Sequence, residues 1–268
     1  MTMSITIVMQ YNLRSRQSGA VPFVAGVSEM KIKDAVVFVT GANRGLGQEF
    51  AKQALERGAR KVYAGSRDPS KVTLPGVIPV KLDVNNPEDV AAAAKLAGDV
   101  TLLINNAGIA RVTEGLTRPG AAELLRETLE TNLFGMLAMS QAFAGTLGRN
   151  GGGALLNVLS IVSWISSNVI PEYAITKSAA WSLTNGLRQE LRAQRTQVVG
   201  LHAGYIDTDL TRGFDAEKSA PADVVRQAFE AIEAGEEEVS VDDATRQVKQ
   251  ALSQGIYLLD PAAARTPS

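Results

Sequence analysis

The stretch that decides the fold reads Ala35-Val36-Val37-Phe38-Val39-Thr40-Gly41-Ala42-Asn43-Arg44-Gly45-Leu46-Gly47. It begins with a continuous apolar, β-branched run, which is typical of a parallel strand buried on both faces. Three glycines with the spacing G-x-x-x-G-x-G follow, and residues 48–57 then predict a helix. In a strand–turn–helix, such glycines permit a tight turn and let a pyrophosphate approach the helix N–H groups. The stretch therefore predicts a dinucleotide site.

The glycine pattern has two other possible interpretations. A Walker phosphate loop is excluded, because no Gly-Lys-Ser/Thr follows the glycines. A glycine-rich turn that binds no ligand stays open on the glycines alone.

Strand-like and helix-like segments alternate along the rest of the chain, without repeats or linkers. This alternation predicts an α/β protein with one doubly wound parallel sheet, the three-layered Rossmann fold, over residues 31–268. Pro79 in the third strand indicates an edge position. Further predicted strands cover residues 61–65, 77–82, 100–104, 154–159 and 197–203, and predicted helices begin near Asn86 and cover residues 121–147 and 171–194.

Composition excludes several function classes. With a net charge of −1 and mixed signs, nothing indicates a nucleic-acid partner. Without cysteine and with His202 as the only histidine, neither a thiolate nor a His-based metal site is available. We expect His202 to be a satisfied core residue. No run is long enough to span a membrane, so we expect a cytoplasmic protein.

Residues 1–30 differ from the rest, with two arginines and no acid before Glu29. We expect a disordered leader there, with a basic targeting peptide as the alternative.

The residues after the second predicted strand bear on the choice of dinucleotide. A site for NAD usually has an acid there, which accepts a hydrogen bond from the ribose 2′-hydroxyl. Ser66 and Arg67 occupy this place, and Arg44 in the glycine loop can close on it. Guanidinium groups bind phosphate bidentately, so the arginines favour the 2′-phosphate of NADP. Asp68, one residue further on, keeps NAD open as the less favoured cofactor.

A second pattern, Tyr173-x-x-x-Lys177, lies in the predicted helix that begins at Pro171. Residues four apart lie on one helix face, although most such pairs are ordinary surface residues. An ammonium group near a phenol favours the phenolate, so we expect the pKa of Tyr173 to fall from about 10. Ser160 ends a predicted buried strand, and its hydroxyl is placed to hold a substrate oxygen that the tyrosine protonates.

Together these motifs resemble the short-chain dehydrogenase/reductase family in its single-domain branch. The resemblance runs in order from Lys33 to Asp209, and Asn132 and Asn105-Asn106-Ala107-Gly108 add to it. It implies Tyr173 as acid/base, Ser160 as donor to the substrate oxygen, and Lys177 as the residue that lowers the tyrosine pKa and bonds the nicotinamide ribose. Asn132 would hold a water that links Lys177 to solvent.

The cofactor contacts follow from the glycine loop, the second strand and the resemblance. Asp83 and Val84 would border the adenine, and the turn from Gly204 to Thr208 would fix the nicotinamide amide. The full set is Gly41, Asn43, Arg44, Gly45, Leu46, Gly47, Ser66, Arg67, Asp83, Val84, Asn105, Ala107, Gly108, Tyr173, Lys177, Gly204, Ile206 and Thr208.

The implied activity is NADP(H)-dependent interconversion of a ketone or aldehyde and an alcohol by hydride transfer. A predicted apolar wall indicates a small to medium, hydrophobic substrate; it comprises Ile109, Ala110, Trp164, Ile165, Val169, Ile170 and Tyr205. A catalytically silent NADP-binding sensor is the main alternative, although a sensor has no reason to keep the Ser-Tyr-Lys-Asn tetrad. A methyltransferase on the same fold is a remoter one.

The sequence departs from the family pattern in three places. Ala203-Gly204 replaces the frequent Pro-Gly, which we expect to loosen that turn, and Leu159 replaces a common second serine. The end of the chain, from Glu238, lacks the glycine-rich final strand and tail that many members use to form tetramers.

Two apolar helical segments and one loop complete the predictions. Residues 124–147 and 172–194 are apolar on more than one face, which favours a homodimer, with a tetramer as the alternative. Residues 209–220 form a predicted loop at the ligand-binding edge, and Phe214 is its large apolar side chain. We expect this loop to be a lid that orders when ligands bind.

Overall fold

A computed structural model of the protein describes residues 30–259, which form one sheet of seven parallel strands. The order across the sheet is third, second, first, fourth, fifth, sixth, seventh, so the chain crosses over between the first and fourth strands. This confirms the predicted doubly wound α/β fold. The strands are β1 (Val36–Thr40), β2 (Lys61–Ser66), β3 (Ile78–Lys81), β4 (Leu102–Asn105), β5 (Ala154–Val158), β6 (Gln197–His202) and β7 (Glu238–Ser240).

Helices cover both faces of the sheet and complete three layers. The helices are α1 (Gly45–Glu56), α2 (Pro87–Leu96), α3 (Ala121–Leu129), α4 (Gly135–Arg149), α5 (Pro171–Glu190), α6 (Pro221–Glu233) and α7 (Asp243–Ala251). On one face α1 and α6 pack together, with Phe50 and Phe229 in an edge-on contact at 5.6 Å. On the other face α2, α4 and α5 cover a second core.

Local sequence accounts for several of these elements. The Asn86 side chain accepts hydrogen bonds from the N–H groups of Glu88 and Asp89 and so caps α2, with Pro87 in the first turn. Pro79 lies in β3, which is one of the two edge strands, as predicted.

The structure differs from the sequence prediction at three elements. The long helix predicted for residues 121–147 is interrupted by a π-helical segment, Glu130–Phe134. The helix that starts at Pro171 ends at Glu190 rather than near Gln194, and a seventh strand that the sequence did not predict pairs with β6. The predicted leader lies outside the described residues, except for Met30.

The predicted motifs converge at one edge of the sheet. The glycine loop, the Asn105–Gly108 stretch, Ser160 and the turn at Gly204 follow β1, β4, β5 and β6, respectively. In doubly wound sheets, ligands bind outside the carboxyl ends of the strands, at the crossover point. Within residues 30–259, no helix is both long and apolar enough to cross a bilayer.

Candidate active site

The glycine loop adopts the backbone conformation that its spacing predicts. Gly41 and Gly45 have φ values of 67° and 54°, in the left-handed region that disfavours other residues. A Cβ at Gly47 would lie 2.3 Å from the Gly41 carbonyl oxygen, so only glycine permits this packing of helix on loop. Arg44 precedes α1 with extended backbone and makes no side-chain capping bond, so no side chain caps the start of the helix. The loop therefore fits a pyrophosphate at the start of α1.

The end of β2 lies beside this loop. The Ala42 N–H donates to the Gly65 carbonyl at 2.9 Å, so Ser66 and Arg67 follow directly at the edge of the site. Ser66 is buried and donates to the Asp68 carbonyl, whereas the Arg67 side chain is exposed.

The Asp68 carboxylate is already engaged in its own turn. It accepts hydrogen bonds from the Ser70 N–H at 3.1 Å and the Ser70 hydroxyl at 2.6 Å, and it lies 3.7 Å from Lys71 Nζ. The hydroxyl bond is the main reason why the pKa of Asp68 is below its usual range. A carboxylate held in this way is less available to a ribose hydroxyl.

The segment after β4 holds the glycine loop in place. The Asn106 side chain donates to the Thr40 and Gly41 carbonyls at 2.9 and 3.3 Å, and the Thr40 hydroxyl accepts from the N–H groups of Asn106 and Ala107. Thr40 and Asn106 stand in separate motifs of the sequence. Their contacts across two strands are visible only in the structure.

Asn105 belongs to a buried polar network under the site. Its side-chain amide donates to Asn157 Oδ1 at 2.9 Å and to Ser140 Oγ at 3.1 Å, and Asn157 in turn donates to Thr184 Oγ1. These bonds tie β4 and β5 to α4 and α5. Asn105 therefore lies in the sheet, beneath the Ala107–Gly108 turn.

Ser160, Tyr173 and Lys177 converge between β5 and the start of α5. Ser160 is buried; its hydroxyl donates to the Ala203 carbonyl at 3.3 Å and accepts from the Val162 N–H, which begins a short 3₁₀ helix. Lys177 Nζ donates to the Val158 carbonyl at 2.6 Å and lies 5.5 Å from the centre of the Tyr173 ring.

The predicted pKa shift of Tyr173 is wrong for this structure. Burial raises the pKa of the phenol to about 12, and a hydrogen bond with the Ser160 hydroxyl opposes that rise. Burial also lowers the pKa of Lys177 to about 8. The reason is that protein surrounds both groups and disfavours their charged forms, while the ammonium group is turned to a backbone carbonyl.

Asn132 lies fully buried in the π-helical segment. Its Oδ1 accepts from the Ile109 N–H at 2.8 Å, and its amide donates to the Ile109 carbonyl at 2.9 Å and to Thr176 Oγ1 at 3.0 Å. Both amide protons are thus used within the protein. Asn132 therefore links the segment after β4 to α5, where its partner Thr176 directly precedes Lys177.

The turn after β6 is hydrogen-bonded to two neighbouring segments, and the loosening predicted from Ala203-Gly204 stays a prediction. The Gly204 N–H donates to Asp242 Oδ2 at 2.7 Å, and the Ala203 carbonyl accepts from the Ile161 N–H at 2.8 Å. Thr208 lies beside the glycine loop, since its Cγ2 is 3.5 Å from the position that a Cβ at Gly45 would occupy. Ile206 pairs with Ser219 in a parallel bridge.

Asp83 and Val84 follow β3 and contact α2 and α4, respectively. The Asp83 N–H donates to Asp89 Oδ2 at 2.8 Å, and Val84 packs against α4, 2.6 Å from a Cβ placed at Gly135. Val84 is buried, and Asp83 is partly buried.

Trp164, which the sequence placed in the pocket wall, is a core residue in the structure. It is buried and stacks on His202 with ring centres 3.9 Å apart, and Trp181 meets it edge-on at 6.3 Å. The other predicted wall residues are partly or largely accessible. Tyr205 is 36% exposed and packs on Phe214 at 5.3 Å.

His202 is a buried core residue, as expected. Its Nδ1 lies 3.1 Å from the Ser160 carbonyl oxygen, and its Nε2 lies 3.2 Å from a Glu238 carboxylate oxygen on β7. Among the described residues, no group of three or more potential metal ligands occurs.

The fold and this edge of the sheet define a dinucleotide-binding protein of the Rossmann type. The sequence model of the short chain dehydrogenase family matches residues 35–219, which is more than half of the chain. The chain belongs to the short-chain dehydrogenase/reductase family, whose members are oxidoreductases that act on CH–OH and C=O groups.

Relatives and solved structures agree with this assignment. A 3-oxoacyl-[acyl-carrier-protein] reductase of Vibrio cholerae is 28% identical over 70% of this chain and 80% of its own length. A short chain dehydrogenase from Burkholderia cenocepacia, solved with NADP, is 39% identical with a TM-score of 0.82, over 89% of this chain and all of the other. A 3-ketoacyl-(acyl-carrier-protein) reductase from Brucella melitensis, solved with NADH, is 25% identical with a TM-score of 0.71, over 78% and 98% of the two chains.

Proposed function

We propose that the protein is an NADP(H)-dependent oxidoreductase that interconverts a ketone or aldehyde and an alcohol. The observation that carries the proposal is the convergence of Ser160, Tyr173 and Lys177 at the sheet edge that also holds the glycine loop. A bound nicotinamide supplies or accepts the hydride, and the protein orients the reactants and moves the proton.

Tyr173 acts as the proton donor in the direction of reduction. With a pKa raised to about 12, the phenol is protonated at neutral pH and holds the proton that a reduced carbonyl oxygen needs. The Ser160 hydroxyl, which shares a hydrogen bond with the phenol, holds the same substrate oxygen. In the direction of oxidation, Tyr173 takes the proton back.

Lys177 and Asn132 support this transfer. The Lys177 ammonium group is buried and donates to the Val158 carbonyl. If the lysine side chain rotated away from this carbonyl towards a cofactor ribose, its charge would lie closer to the phenol. Asn132 fixes Ile109 and Thr176 around Lys177, and its second Oδ1 lone pair is the place for a water that links the lysine to solvent.

Three features support NADP as the preferred cofactor. Arg67 is exposed at the end of β2, Arg44 lies in the glycine loop, and the Asp68 carboxylate is engaged by Ser70. The 39% identical relative was solved with NADP, whereas the NADH complex belongs to a more distant protein. Because NADPH is the reduced pool that favours reduction in cells, we assign carbonyl reduction as the main direction.

The substrate is a small to medium, hydrophobic carbonyl compound. The walls next to Tyr173 are apolar: Ile109 and Ala110 come from the segment after β4, and Val169 and Ile170 from the segment before α5. Tyr205 adds an accessible aromatic face.

The test is cofactor binding and turnover measured on the same preparation. NADPH fluorescence should show tighter binding than NADH, and NADPH oxidation should follow the addition of hydrophobic ketones or aldehydes. Tight NADPH binding without turnover across the panel would instead identify a silent sensor. Binding of neither dinucleotide would contradict the proposal.

A further inference from the structure

A buried carboxylate lies next to the candidate proton donor and has no part in the mechanism above. Glu172 precedes Tyr173 in the first turn of α5, and its side chain is only 2% exposed. Its Oε1 accepts from Arg118 Nη2 at 2.8 Å, and its Oε2 accepts from the Thr113 hydroxyl at 2.9 Å. We call these three residues the clamp.

The clamp joins α5 to the irregular segment between β4 and α3. The same segment is fixed at two other points: Ile109 is bonded by Asn132, and the Thr113 N–H donates to the Val169 carbonyl at 2.8 Å. Residues 109–118 are therefore held against residues 165–172. The second stretch runs directly into Tyr173, and the apolar residues of the two stretches include Ile109, Ala110, Val169 and Ile170 of the proposed pocket wall.

The charge of Glu172 makes this contact more than a surface ion pair. A buried carboxylate is strongly disfavoured unless it is paired and hydrogen-bonded. Glu172 obtains its side-chain hydrogen bonds from Thr113 and Arg118, both on the segment after β4, and the helix start favours its negative charge. When this segment moves away, Glu172 loses both partners, so the wall position and the carboxylate are coupled.

We propose that Glu172, through Thr113 and Arg118, is a positioning residue that fixes the wall at residues 109–118 and so limits the size of the carbonyl substrate that reaches Tyr173. This inference rests on the proposed carbonyl reductase activity. The clamp holds the segment without touching the reacting atoms. Its loss widens the approach and leaves the proton donor and the cofactor site in place.

Three near-isosteric variants test the clamp: Glu172→Gln removes the charge, Thr113→Val removes the hydroxyl, and Arg118→Met removes the cation. The matched control is Arg111→Met, which makes the same substitution on the same segment but breaks only the exposed pair with Glu127. Each variant is assayed with saturating NADPH and a series of ketones of increasing size.

We expect the clamp variants to raise KM for the smallest good ketone several-fold, while its kcat stays within about twofold and NADPH affinity is unchanged. The ratio of kcat/KM between small and bulky ketones should fall by about tenfold, and Arg111→Met should keep the wild-type ratio. The double variant Glu172→Gln/Arg118→Met should lose less than the sum of the single losses, because both act on one contact.

A second readout does not depend on activity. Because Pro119 follows Arg118, trypsin can cut residues 109–118 only after Arg111. Cleavage there should accelerate several-fold in Glu172→Gln and Thr113→Val relative to wild type, and Arg111→Met should abolish that fragment. Equal cleavage rates in the wild type and these variants would contradict the clamp.

The kinetic outcomes separate the clamp from the proposed function. Faster cleavage with an unchanged size profile would reject the role in specificity. If the wild type reduces no ketone with NADPH, the proposed function fails and the specificity role falls with it. If the wild type is active and only the melting temperature of the variants changes, the role of the clamp in specificity is rejected and the proposed function stands.

Discussion

At the scale of single residues, the proposed reaction depends on one phenol. Tyr173→Phe removes the hydroxyl and leaves the ring packing, so kcat should fall by at least about 10²-fold. The affinity for NADPH should stay nearly unchanged. Lys177→Ala should reduce both turnover and NADPH binding, because the lysine is assigned to the phenol and to the cofactor. Stopped-flow turnover and NADPH fluorescence check the pair, and a Tyr173→Phe enzyme with near-normal turnover would end this mechanism.

The buried lysine makes the stability of the ligand-free protein depend on pH. Burial lowers the pKa of Lys177 to about 8 from 10.5, so the unfolded state binds more protons between these values. Stability therefore rises with pH across this window, and the penalty of the buried charge, roughly 3 kcal/mol, is fully present below pH 8. Lys177→Met should raise the free energy of unfolding at pH 7 and flatten the rise up to pH 10.5. Denaturant titrations at several pH values measure both effects.

Cofactor choice rests on Arg67. If its guanidinium group binds the 2′-phosphate, Arg67→Ala should weaken NADPH binding by about ten- to a hundred-fold and leave NADH binding unchanged. Lys71→Ala is the control, because Lys71 is a similarly exposed cation in the following turn, paired with Asp68. Fluorescence titrations with both dinucleotides provide the comparison. An equal loss for NADPH and NADH would assign Arg67 to folding rather than to the phosphate.

Residue identities could be predicted from the sequence more reliably than residue environments. The spacing of Tyr173 and Lys177 follows from helix geometry, and the glycine loop follows from the packing that glycine alone permits. The direction of the Tyr173 pKa shift could not be predicted, because desolvation depends on what the fold places around the phenol. The contacts between Thr40 and Asn106 could not be predicted either, because they join segments about 65 residues apart.

At the scale of elements, residues 209–220 begin beside the glycine loop. They contain a short 3₁₀ helix, Asp209–Thr211, and Arg44 of the glycine loop pairs with Asp209 at 3.2 Å. Phe214 packs on the Tyr205 ring, with ring centres 5.3 Å apart. The predicted lid motion stays a prediction.

The lid prediction is tested by Phe214→Ala. Loss of the ring should raise KM for bulky ketones several-fold and leave NADPH binding unchanged, because the side chain would close on the substrate. Leu210→Ala is the control, since Leu210 is a large apolar residue of the same segment and is 48% exposed. Unchanged kinetics over a range of substrate sizes would leave the segment as a connector.

Element types could be predicted where the hydrophobic periodicity is sustained, and the predictions failed where it is not. The π-helical segment Glu130–Phe134 adds a wider turn inside a helical pattern and carries no signal of its own, yet it carries Asn132. Strand β7 is only three residues long, too short for a period-2 pattern, and it is defined by its pairing with β6. In both cases tertiary contacts decide the structure.

At the scale of the whole molecule, the doubly wound parallel sheet could be predicted from the sequence, but assembly could not. Alternating strands and helices leave few topologies, because crossover connections between parallel strands are right-handed. In a single subunit, an interface is indicated only by apolar residues that remain accessible at the surface. Phe134 is 49% exposed beside α4, and Trp181 and Leu183 on α5 are only partly buried. The predicted homodimer, in which α4 and α5 of two subunits pack about a two-fold axis, therefore remains a prediction.

Gly186 offers a sharp test of this dimer. It lies on α5, on the same helix face as Ala179 and Leu183, and a Cβ there would meet no atom within 4 Å. Gly186→Arg should leave the subunit folded, because arginine favours a helix more than glycine does, but it places a charge in the predicted contact. Ala222→Arg puts the same charge at an exposed position of α6, across the sheet. At micromolar concentration, light scattering should give a dimer for wild type and Ala222→Arg and a monomer for Gly186→Arg. A one-chain mass for the wild type would refute the dimer, and a dimeric Gly186→Arg would move the interface away from α5.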